Sequence, residues 1–197
     1  MELVTGGVSY SLPAQYVDIN AIARELQSDG SNLQEIKMAV EITSPSTETL
    51  QFVESTARSG RFTLVAPPIE FTVKATYGGK TVEVERFGGY VERRIVIPDD
   101  INPRGVTGVV IQPDGTARHV PTKIVRENGK YVAVIQSRTN SLYAVVSHSK
   151  TFQDAERHWA AAAINDMASR KIVNGANEQT FHPDQEITRA EFAAIVI

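Results

Sequence analysis

The spacing of apolar residues changes near Lys150, and this change constrains the fold more than any other feature of the sequence. Before that residue, apolar side chains alternate with polar ones in short runs, as at Val82 and Val84, which is typical of strands with one buried face. After it, apolar residues recur at helical spacing, as at Ile164 and Ala168, which indicates amphipathic helices. The chain is therefore predicted to be α+β, with its strands and its last helices in separate parts.

Residues 1–149, called the β module below, are predicted to form a mainly antiparallel, sandwich-like domain. Short strand patterns with turns about every 8–12 residues are typical of sandwiches rather than of parallel α/β sheets. Turn residues that tolerate positive φ occur at Gly78-Gly79, Pro113-Asp114-Gly115 and Asn128-Gly129. The predicted strands cover residues 8–12, 36–42, 71–75, 82–85, 91–97, 106–112, 116–126, 130–136 and 141–147.

Two short helices are predicted within the β module. Asp18 is placed to cap the first, and Pro45 suits the first turn of the second. Their apolar residues are Ile19, Ile22, Ala23 and Leu26 in the first helix and Leu50, Phe52 and Val53 in the second.

Residues 150–197, called the C-terminal segment below, are predicted to form a helix–loop–helix domain. Asp154 is placed to cap the first helix, which would run to about Arg170. Lys171 and Asn174-Gly175 supply a cation and an αL-tolerant pair to end it. The apolar stripe of this helix is Ala160, Ile164, Met167 and Ala168.

Trp159 lies about 100° around the first helix from Ala160, because 3.6 residues make one turn, so it sits off the centre of the stripe. The second helix is predicted to begin at Thr188. Thr188 and Glu191 have the spacing of a capping box, and Ile187 and Phe192 have that of a hydrophobic staple.

Composition excludes several classes of function. The net charge is −3 with acids and bases interspersed, so no basic field is present to hold nucleic acid. The chain has no cysteine, which removes disulfides and thiolate chemistry. No run of about 18 apolar residues predicts a membrane span. Residues 1–7 lack the basic start and apolar core of a signal peptide, so an exported form of this chain is expected to be part of a longer protein.

Candidate catalytic residues are sparse. Glu83, Glu85 and Glu92 fall on predicted strands and would either line a glycosidase cleft or, as their alternation with valines favours, face solvent. Asp99-Asp100 is predicted to be a solvated turn. His158 and His182 are predicted to be surface or packing residues, because no second metal ligand follows at helical spacing.

A small basic patch is a further candidate for contact with an anionic glycan. It would consist of Arg86, Arg93 and Arg94 near Phe87 and Tyr90.

An ordered set of motifs in the C-terminal segment resembles one repeat of the S-layer homology family. The resemblance covers about 46 of the 197 residues. The motifs are Phe152-Gln-Asp154, His158-Trp159-Ala160, Ile172-Val-Asn-Gly175, Phe181-His-Pro183 and Ile187-Thr-Arg-Ala-Glu191-Phe192.

The resemblance implies non-catalytic attachment of an exported bacterial protein to secondary cell wall polysaccharide, which often carries anionic pyruvate ketals. It assigns polymer contact to Arg189, which is expected at the first position of the second helix, where free N–H groups also favour anions. Trp159 is expected to pack on a sugar face, and Asn174 and Gly175 to approach the sugar.

Each of these assignments has a structural alternative. Arg189 would otherwise form a surface salt bridge, Trp159 would hold the two helices together, and Asn174-Gly175 would simply end a helix. Thr188, Glu191 and Asp154 are expected to act as helix caps rather than as ligand contacts.

The resemblance also implies an extracellular location, at the cell wall or in an S-layer, with neighbouring repeats as partners and no cofactor, metal, nucleic acid or membrane span. One repeat is present, and its last helix is expected to continue further in the family. The alternative is that the chain is the accessory and anchoring region of a wall-bound polysaccharide hydrolase. A third possibility is that the β module itself assembles into a surface lattice.

Overall fold

The computed structural model describes residues 1–27 and 33–196, and its fold is α+β with antiparallel sheets, as predicted. The helices are α1 (Ile19–Glu25), α2 (Thr47–Ser59), α3 (Ala161–Ser169) and α4 (Arg189–Val196). The strands are β1 (Glu2–Thr5), β2 (Val8–Ser11), β3 (Lys37–Thr43), β4 (Thr63–Leu64), β5 (Ile69–Tyr77), β6 (Lys80–Glu83), β7 (Arg86–Ile97), β8 (Val106–Ile111), β9 (Ala117–Val120), β10 (Thr122–Glu127), β11 (Lys130–Thr139) and β12 (Leu142–Ser147).

The strands form two antiparallel sheets. The five-stranded sheet has the order β1-β2-β7-β11-β10. The seven-stranded sheet has the order β3-β5-β12-β8-β9, with β4 paired to β12 and β6 to β5. The main hydrophobic core takes side chains from both sheets, for example Ile95 and Ile135 from the first and Val73 and Val145 from the second. The β module is therefore sandwich-like, as predicted.

Strands β8 and β12 are covered on both faces. Val110 and Val145 face the core between the sheets, whereas Val109 and Val146 belong to a second core. That second core is closed by helix α2, which contributes the fully buried Val53. Double burial explains why these two strands read as nearly continuous apolar runs rather than as alternating ones.

The two short helices begin as local capping chemistry dictates. The Asp18 side chain accepts a hydrogen bond from the backbone N–H of Ala21 at 3.0 Å, as predicted for α1. Helix α2 is capped by Ser46, whose Oγ accepts from the N–H of Thr49 at 3.2 Å. Pro45 therefore precedes the cap rather than lying in the first turn, because a serine hydroxyl supplies the acceptor that a proline lacks.

The predicted strand at residues 116–126 is wrong, because the chain changes sheet at Pro121. Strand β9 pairs with β8 in the seven-stranded sheet, and β10 pairs with β11 in the five-stranded sheet. Proline has no N–H for a ladder, so a crossing at this residue loses no strand hydrogen bond. Thr122 Oγ1 accepts from the N–H of Gly108 at 3.0 Å and holds the crossing against β8.

The predicted reversals at Gly78-Gly79 and Asn128-Gly129 are confirmed. All four residues have positive φ, and they connect β5 to β6 and β10 to β11. Within residues 1–27 and 33–196, no helix has both the length and the apolar character that crossing a bilayer needs.

Arg93 is fully buried, with 0% of its surface exposed, so it does not belong to the predicted surface patch. Its guanidinium carbon lies 5.1, 5.3 and 4.6 Å from the ring centres of Tyr10, Phe71 and Tyr143. Three aromatic faces around one cation supply the attraction that a counterion would otherwise give. Burial lowers the pKa of Arg93, while the two tyrosines oppose that shift.

Hydrogen bonds also hold the Arg93 side chain in place. It donates to the carbonyl oxygen of Val91 at 3.1 Å, to that of Thr139 at 2.6 Å and to Asn140 Oδ1 at 2.7 Å. Tyr10 Oη donates to the same Asn140 oxygen at 2.9 Å, so one network joins β2 and β7 to the end of β11. The alternation of Val91, Ile95 and Ile97 places Arg93 on the buried face of β7. The pattern does not show that three aromatic rings from other strands surround its guanidinium.

Among the other residues of the predicted basic patch, Arg86 and Tyr90 are exposed and Phe87 is buried. Arg94 forms ion pairs with Glu92 and Glu127, which leaves little free charge at this position. Glu83 and Glu85 are exposed, in agreement with the outward-facing alternative.

We expect Arg93→Ala to lower the free energy of unfolding by about 3 kcal/mol or more, because it opens a cavity and breaks a buried polar network. Urea unfolding followed by circular dichroism measures this change. Arg138→Ala, at an exposed position of β11, is the matched control and should stay within about 0.5 kcal/mol of the parent. Equal effects of the two substitutions would contradict the role of the ring cluster.

Candidate functional site

The C-terminal segment has a small hydrophobic core of its own. Phe152, Ala155, Ile164 and Ala168 are buried together, and Phe181 packs against them with its ring centre 5.4 Å from that of Phe152. Two members, Ile164 and Ala168, belong to the stripe predicted for the first helix. The loop after α3 is therefore fastened to the residues before it.

Asp154 does not cap helix α3, contrary to the prediction. It lies in a short 3₁₀ turn, Gln153–Ala155, and α3 begins only at Ala161. Its carboxylate instead accepts the backbone N–H groups of Phe181, at 2.9 and 3.1 Å, and of His182, at 2.8 Å. The carboxylate of Asp154 therefore bonds to two backbone N–H groups of a loop remote in sequence and not to those of the adjacent helix.

These bonds change the acidity of Asp154. Burial raises the pKa of this carboxyl, but the N–H groups of Phe181 and His182 outweigh that effect and hold the pKa below its usual value. A lowered folded-state pKa contributes stability that is present above the unfolded-state pKa of about 3.9 and is lost as the pH falls through the folded-state value. The loop is therefore expected to loosen in acid.

Trp159 is almost entirely in solvent, with 91% of its surface exposed. It precedes α3, and its ring centre lies 5.4 Å from that of the adjacent His158. It does not hold the two helices together, which was the structural alternative. His158 is structural, as predicted: its Nδ1 accepts from the N–H of Ala160 at 3.2 Å and its Nε2 lies 3.2 Å from Asp184 Oδ1.

Helix α3 ends in a Schellman motif rather than at Asn174-Gly175. The N–H of Lys171 donates to the carbonyl of Ala168 at 3.0 Å, and that of Ile172 to the carbonyl of Met167 at 2.9 Å. Lys171 takes the left-handed position of this motif, with φ of +59°. The prediction that Lys171 helps to end the helix is thus correct, but the αL residue is the lysine itself.

Gly175 is required by packing. A Cβ at this position would lie 2.3 Å from a ring carbon of Phe152 and 2.6 Å from the carbonyl oxygens of Asn177 and Thr180. Two of these three neighbours are backbone atoms, which cannot rotate away. Asn174, next to it, is exposed.

The predicted capping box at the start of α4 is confirmed. The N–H of Glu191 donates to Thr188 Oγ1 at 3.2 Å, and the N–H of Thr188 donates to Glu191 Oε2 at 2.8 Å. The N–H of Thr188 and its hydroxyl, which donates to Glu191 Oε2 at 2.7 Å, hold the pKa of the Glu191 carboxyl below its usual value. Ile187 and Phe192, predicted as a staple, are 55% and 60% exposed.

Arg189 is exposed at the first position of α4. Within residues 1–27 and 33–196, its guanidinium forms no ion pair.

Two cavities adjoin the loop that follows α3. The first, called the loop cavity, has a volume of about 540 Å³ and is lined by Asn174, Gly175, Ile187 and Glu191, among others. Trp159 and Arg189 do not line it. The structure thus brings residues of three predicted motifs together around one cavity, including the predicted polymer contacts Asn174 and Gly175, and leaves Arg189 and Trp159 outside it.

The second, called the junction cavity, has a volume of about 600 Å³. It lies where the β module meets the C-terminal segment, and Asn174 and Gly175 line it as well. Sequence reasoning missed its titratable residues, because they come from distant parts of the chain and belong to no motif. These residues are Arg61, His148, Lys150, Lys171 and Glu178.

Comparison with known proteins assigns the C-terminal segment. Residues 151–193 match the family model of the S-layer homology domain. This chain therefore carries an S-layer homology domain near its C-terminus, preceded by a β-rich module, and the resemblance of the sequence motifs is confirmed.

Several curated relatives match part of the chain. Amylopullulanase of Thermoanaerobacterium thermosulfurigenes is 40% identical over 57 residues, which are 29% of this chain and 3% of the relative. Cell surface glycoprotein 1 of Acetivibrio thermocellus is 36% identical over 85 residues, 43% of this chain and 4% of the relative. Cellulosome-anchoring protein of the same organism is 30% identical over 93 residues, 47% of this chain and 19% of the relative.

The matched part of this chain thus spans less than a fifth of the length of each of these relatives. No solved structure matches the chain.

We expect Gly175→Ala to destabilise the C-terminal segment by about 1–3 kcal/mol, the usual cost of overpacking a close-packed site. Thermal unfolding followed by circular dichroism measures the change. Gly88→Ala is the matched control, because a Cβ there would meet no atom closer than 3.6 Å. A Gly175 variant as stable as the Gly88 variant would contradict the close packing.

We expect Asp154→Ala to accelerate amide hydrogen exchange at Phe181 and His182, because their acceptor is removed. Exchange measured by NMR above pH 5 tests this, since the carboxylate is ionised there. Amides of β11 should be unaffected, and Asp99→Ala, in an exposed loop, should change neither region. Unchanged exchange at both loop amides would show that the carboxylate does not hold the loop.

Proposed function

We propose that this chain attaches a larger exported bacterial protein to the cell wall by binding secondary cell wall polysaccharide, without catalysis. Residues 150–197 would be the binding domain and residues 1–149 an accessory or spacer domain outside the cell. The observation that carries the proposal is the S-layer homology domain at residues 151–193, with its tryptophan and first-turn arginine both presented to solvent.

Arg189 is proposed to pair with an acidic group of the polymer. The first turn of α4 carries the positive end of the helix dipole, so a cation there is disfavoured by a few tenths of a kcal/mol. A bound anion would reverse this cost, since it would contact both the guanidinium and free backbone N–H groups. The lack of an ion pair for Arg189 among the described residues supports this role.

Trp159 is proposed to pack against a sugar ring. An indole is a large apolar plate with one N–H donor, and leaving 91% of it in water is unfavourable. The flat apolar face of a sugar would cover that plate. Asn174 and Gly175 would contribute at the edge of the loop cavity, where the backbone of the glycine is within reach of a ligand.

Neighbouring repeats are proposed as the second partner. Ile187 and Phe192 are more than half exposed, and Met167 on α3 is 37% exposed. Repeat units of this size commonly cover such residues by packing against further copies.

The alternative is that the parent protein is a wall-bound polysaccharide hydrolase. Amylopullulanase, named as an enzyme, is 40% identical to this chain over a stretch of 57 residues, and that stretch is only 3% of its length. The catalytic part of such a parent would lie outside this chain, which would still serve as its anchor. The name of the cellulosome-anchoring protein supports anchoring without catalysis, and that relative matches over more residues.

We expect the chain to co-sediment with purified cell wall sacculi and to lose this binding when the secondary polysaccharide is removed. Arg189→Ala and Trp159→Ala should each weaken binding about tenfold, since a charge-assisted hydrogen bond or an aromatic contact is worth about 1–3 kcal/mol. Arg138→Ala is the control for lost charge.

Two arms make this test decisive. The single chain is compared with a version fused to a trimeric coiled coil, because linked copies raise avidity without any new contact. Binding that survives removal of the polysaccharide, or no binding by either version, would contradict the proposal.

A further inference from the structure

The junction cavity joins three segments that are far apart in sequence. Gly60 and Arg61 follow helix α2, Lys150 follows β12, and Lys171 and Glu178 flank the loop after α3. The β module therefore supplies one wall and the C-terminal segment the other. Arg189 and Trp159, the main proposed polymer contacts, do not line this cavity, whereas Asn174 and Gly175 line both it and the loop cavity.

Positive charge is in excess at the junction cavity. One carboxylate oxygen, Glu178 Oε2, lies 2.8 Å from Lys150 Nζ and 2.9 Å from an Arg61 nitrogen. Lys171 adds a third cation, so three positive charges and one negative charge leave +2 at this place. The chain as a whole carries −3, and the local sign is therefore opposite to the global one.

His148 adds no charge to this count near neutral pH. Burial lowers the pKa of its imidazole, and the nearby Lys171 and Lys150 lower it further. The group is therefore a neutral, polar part of the cavity wall at pH 7.

Lys171 is held in place without a carboxylate partner among the described residues. Its ammonium donates to the carbonyl oxygen of Gly60 at 3.2 Å and lies 5.2 Å from the ring centre of Phe62. Those contacts satisfy part of a group that has three donors. Burial lowers the pKa of Lys171, and a bound anion would raise it again.

The backbone conformation of Lys171 is a second unusual feature of this residue. A φ of +59° is unfavourable for a side chain with a Cβ, and the left-handed position of a Schellman motif usually belongs to glycine. A lysine at this position carries its ammonium across to the β module. The residue with this unfavourable φ thus places its ammonium group at the wall of the junction cavity.

We propose that the junction cavity binds the phosphate group of a phosphorylated saccharide, with Lys171, Lys150 and Arg61 as its cationic contacts. An excess of +2 matches a phosphate monoester, which carries about −1.5 to −2 at pH 7. Lysine serves phosphate as a compact point charge, and arginine adds paired donors.

The rest of the cavity suits the sugar part of such a ligand. Its volume of about 600 Å³ lies in the range of small-molecule sites and is larger than an ion needs. Ser59, Asn174 and Asn177 supply neutral polar groups on the wall. The ligand phosphate would displace the Glu178 carboxylate from Lys150 and Arg61, so this carboxylate competes with the ligand.

The test is a calorimetric titration of the whole chain at low salt with glucose 6-phosphate, inorganic phosphate, glucuronate and glucose. Glucose 6-phosphate should bind most tightly, and glucose should not bind measurably. Inorganic phosphate binding as tightly as glucose 6-phosphate would overturn the saccharide part of the proposal. Glucuronate binding as tightly would overturn the preference for phosphate, and no saturable binding of glucose 6-phosphate would overturn the whole.

Two substitutions of opposite sign sharpen the test. Lys171→Gln should weaken glucose 6-phosphate about tenfold, whereas Glu178→Gln should tighten it several-fold by removing the competing carboxylate. Lys123→Gln, an exposed site on β10, is matched in charge to the first and should change nothing. Glu178 is exposed, so its variant should fold and keep the proposal testable even where the Lys171 variant does not.

The two sites are separated by their variants. Arg189→Ala should leave the titration with glucose 6-phosphate unchanged while it weakens binding to sacculi. The junction site would be overturned if Glu178→Gln did not raise the affinity for glucose 6-phosphate. It would also be overturned if Arg189→Ala lowered that affinity as much as Lys171→Gln does. Failure of sacculus binding alone would leave it standing.

Discussion

The burial of both faces of β8 and β12 is the constraint on which the rest of the structure depends. One face of this pair closes the core between the two sheets, and the other carries helix α2. Because α2 is seated there, Gly60 and Phe62 just beyond it meet Lys171 of the C-terminal segment. The contact of Lys171 with the β module therefore depends on helix α2, which covers the outer face of the seven-stranded sheet.

Cations in this chain have different roles according to what surrounds them. Arg93 is enclosed by three aromatic rings and backbone carbonyls, and it serves the stability of the sandwich. Lys171 has one carbonyl and one ring, which leaves donor capacity toward a cavity. Arg189 makes no ion pair with the described residues and is exposed to solvent at the first position of α4. These three cationic side chains therefore differ in how many of their N–H donors are already bonded within the protein.

Local signals in the sequence predicted the elements well where both partners lie within a few residues. The capping box of Thr188 and Glu191, the cap at Asp18 and the turn at Asn128-Gly129 each form as predicted. Predictions failed where a remote group competed. Asp154 bonds to a loop 27 and 28 residues away instead of capping the adjacent helix. The segment 116–126 divides between two sheets because each half has a different distant partner.

The α+β class, most of the strands and the S-layer homology motifs could be predicted from the residues alone, because periodicity and capping depend on neighbours along the chain. The three aromatic rings around Arg93 and the exposure of Trp159 are evident only in the folded structure. The same is true of the cavity that brings Arg61, Lys150 and Lys171 together. Burial and the meeting of distant charges depend on which surfaces pack together, and no local pattern of residues carries that information.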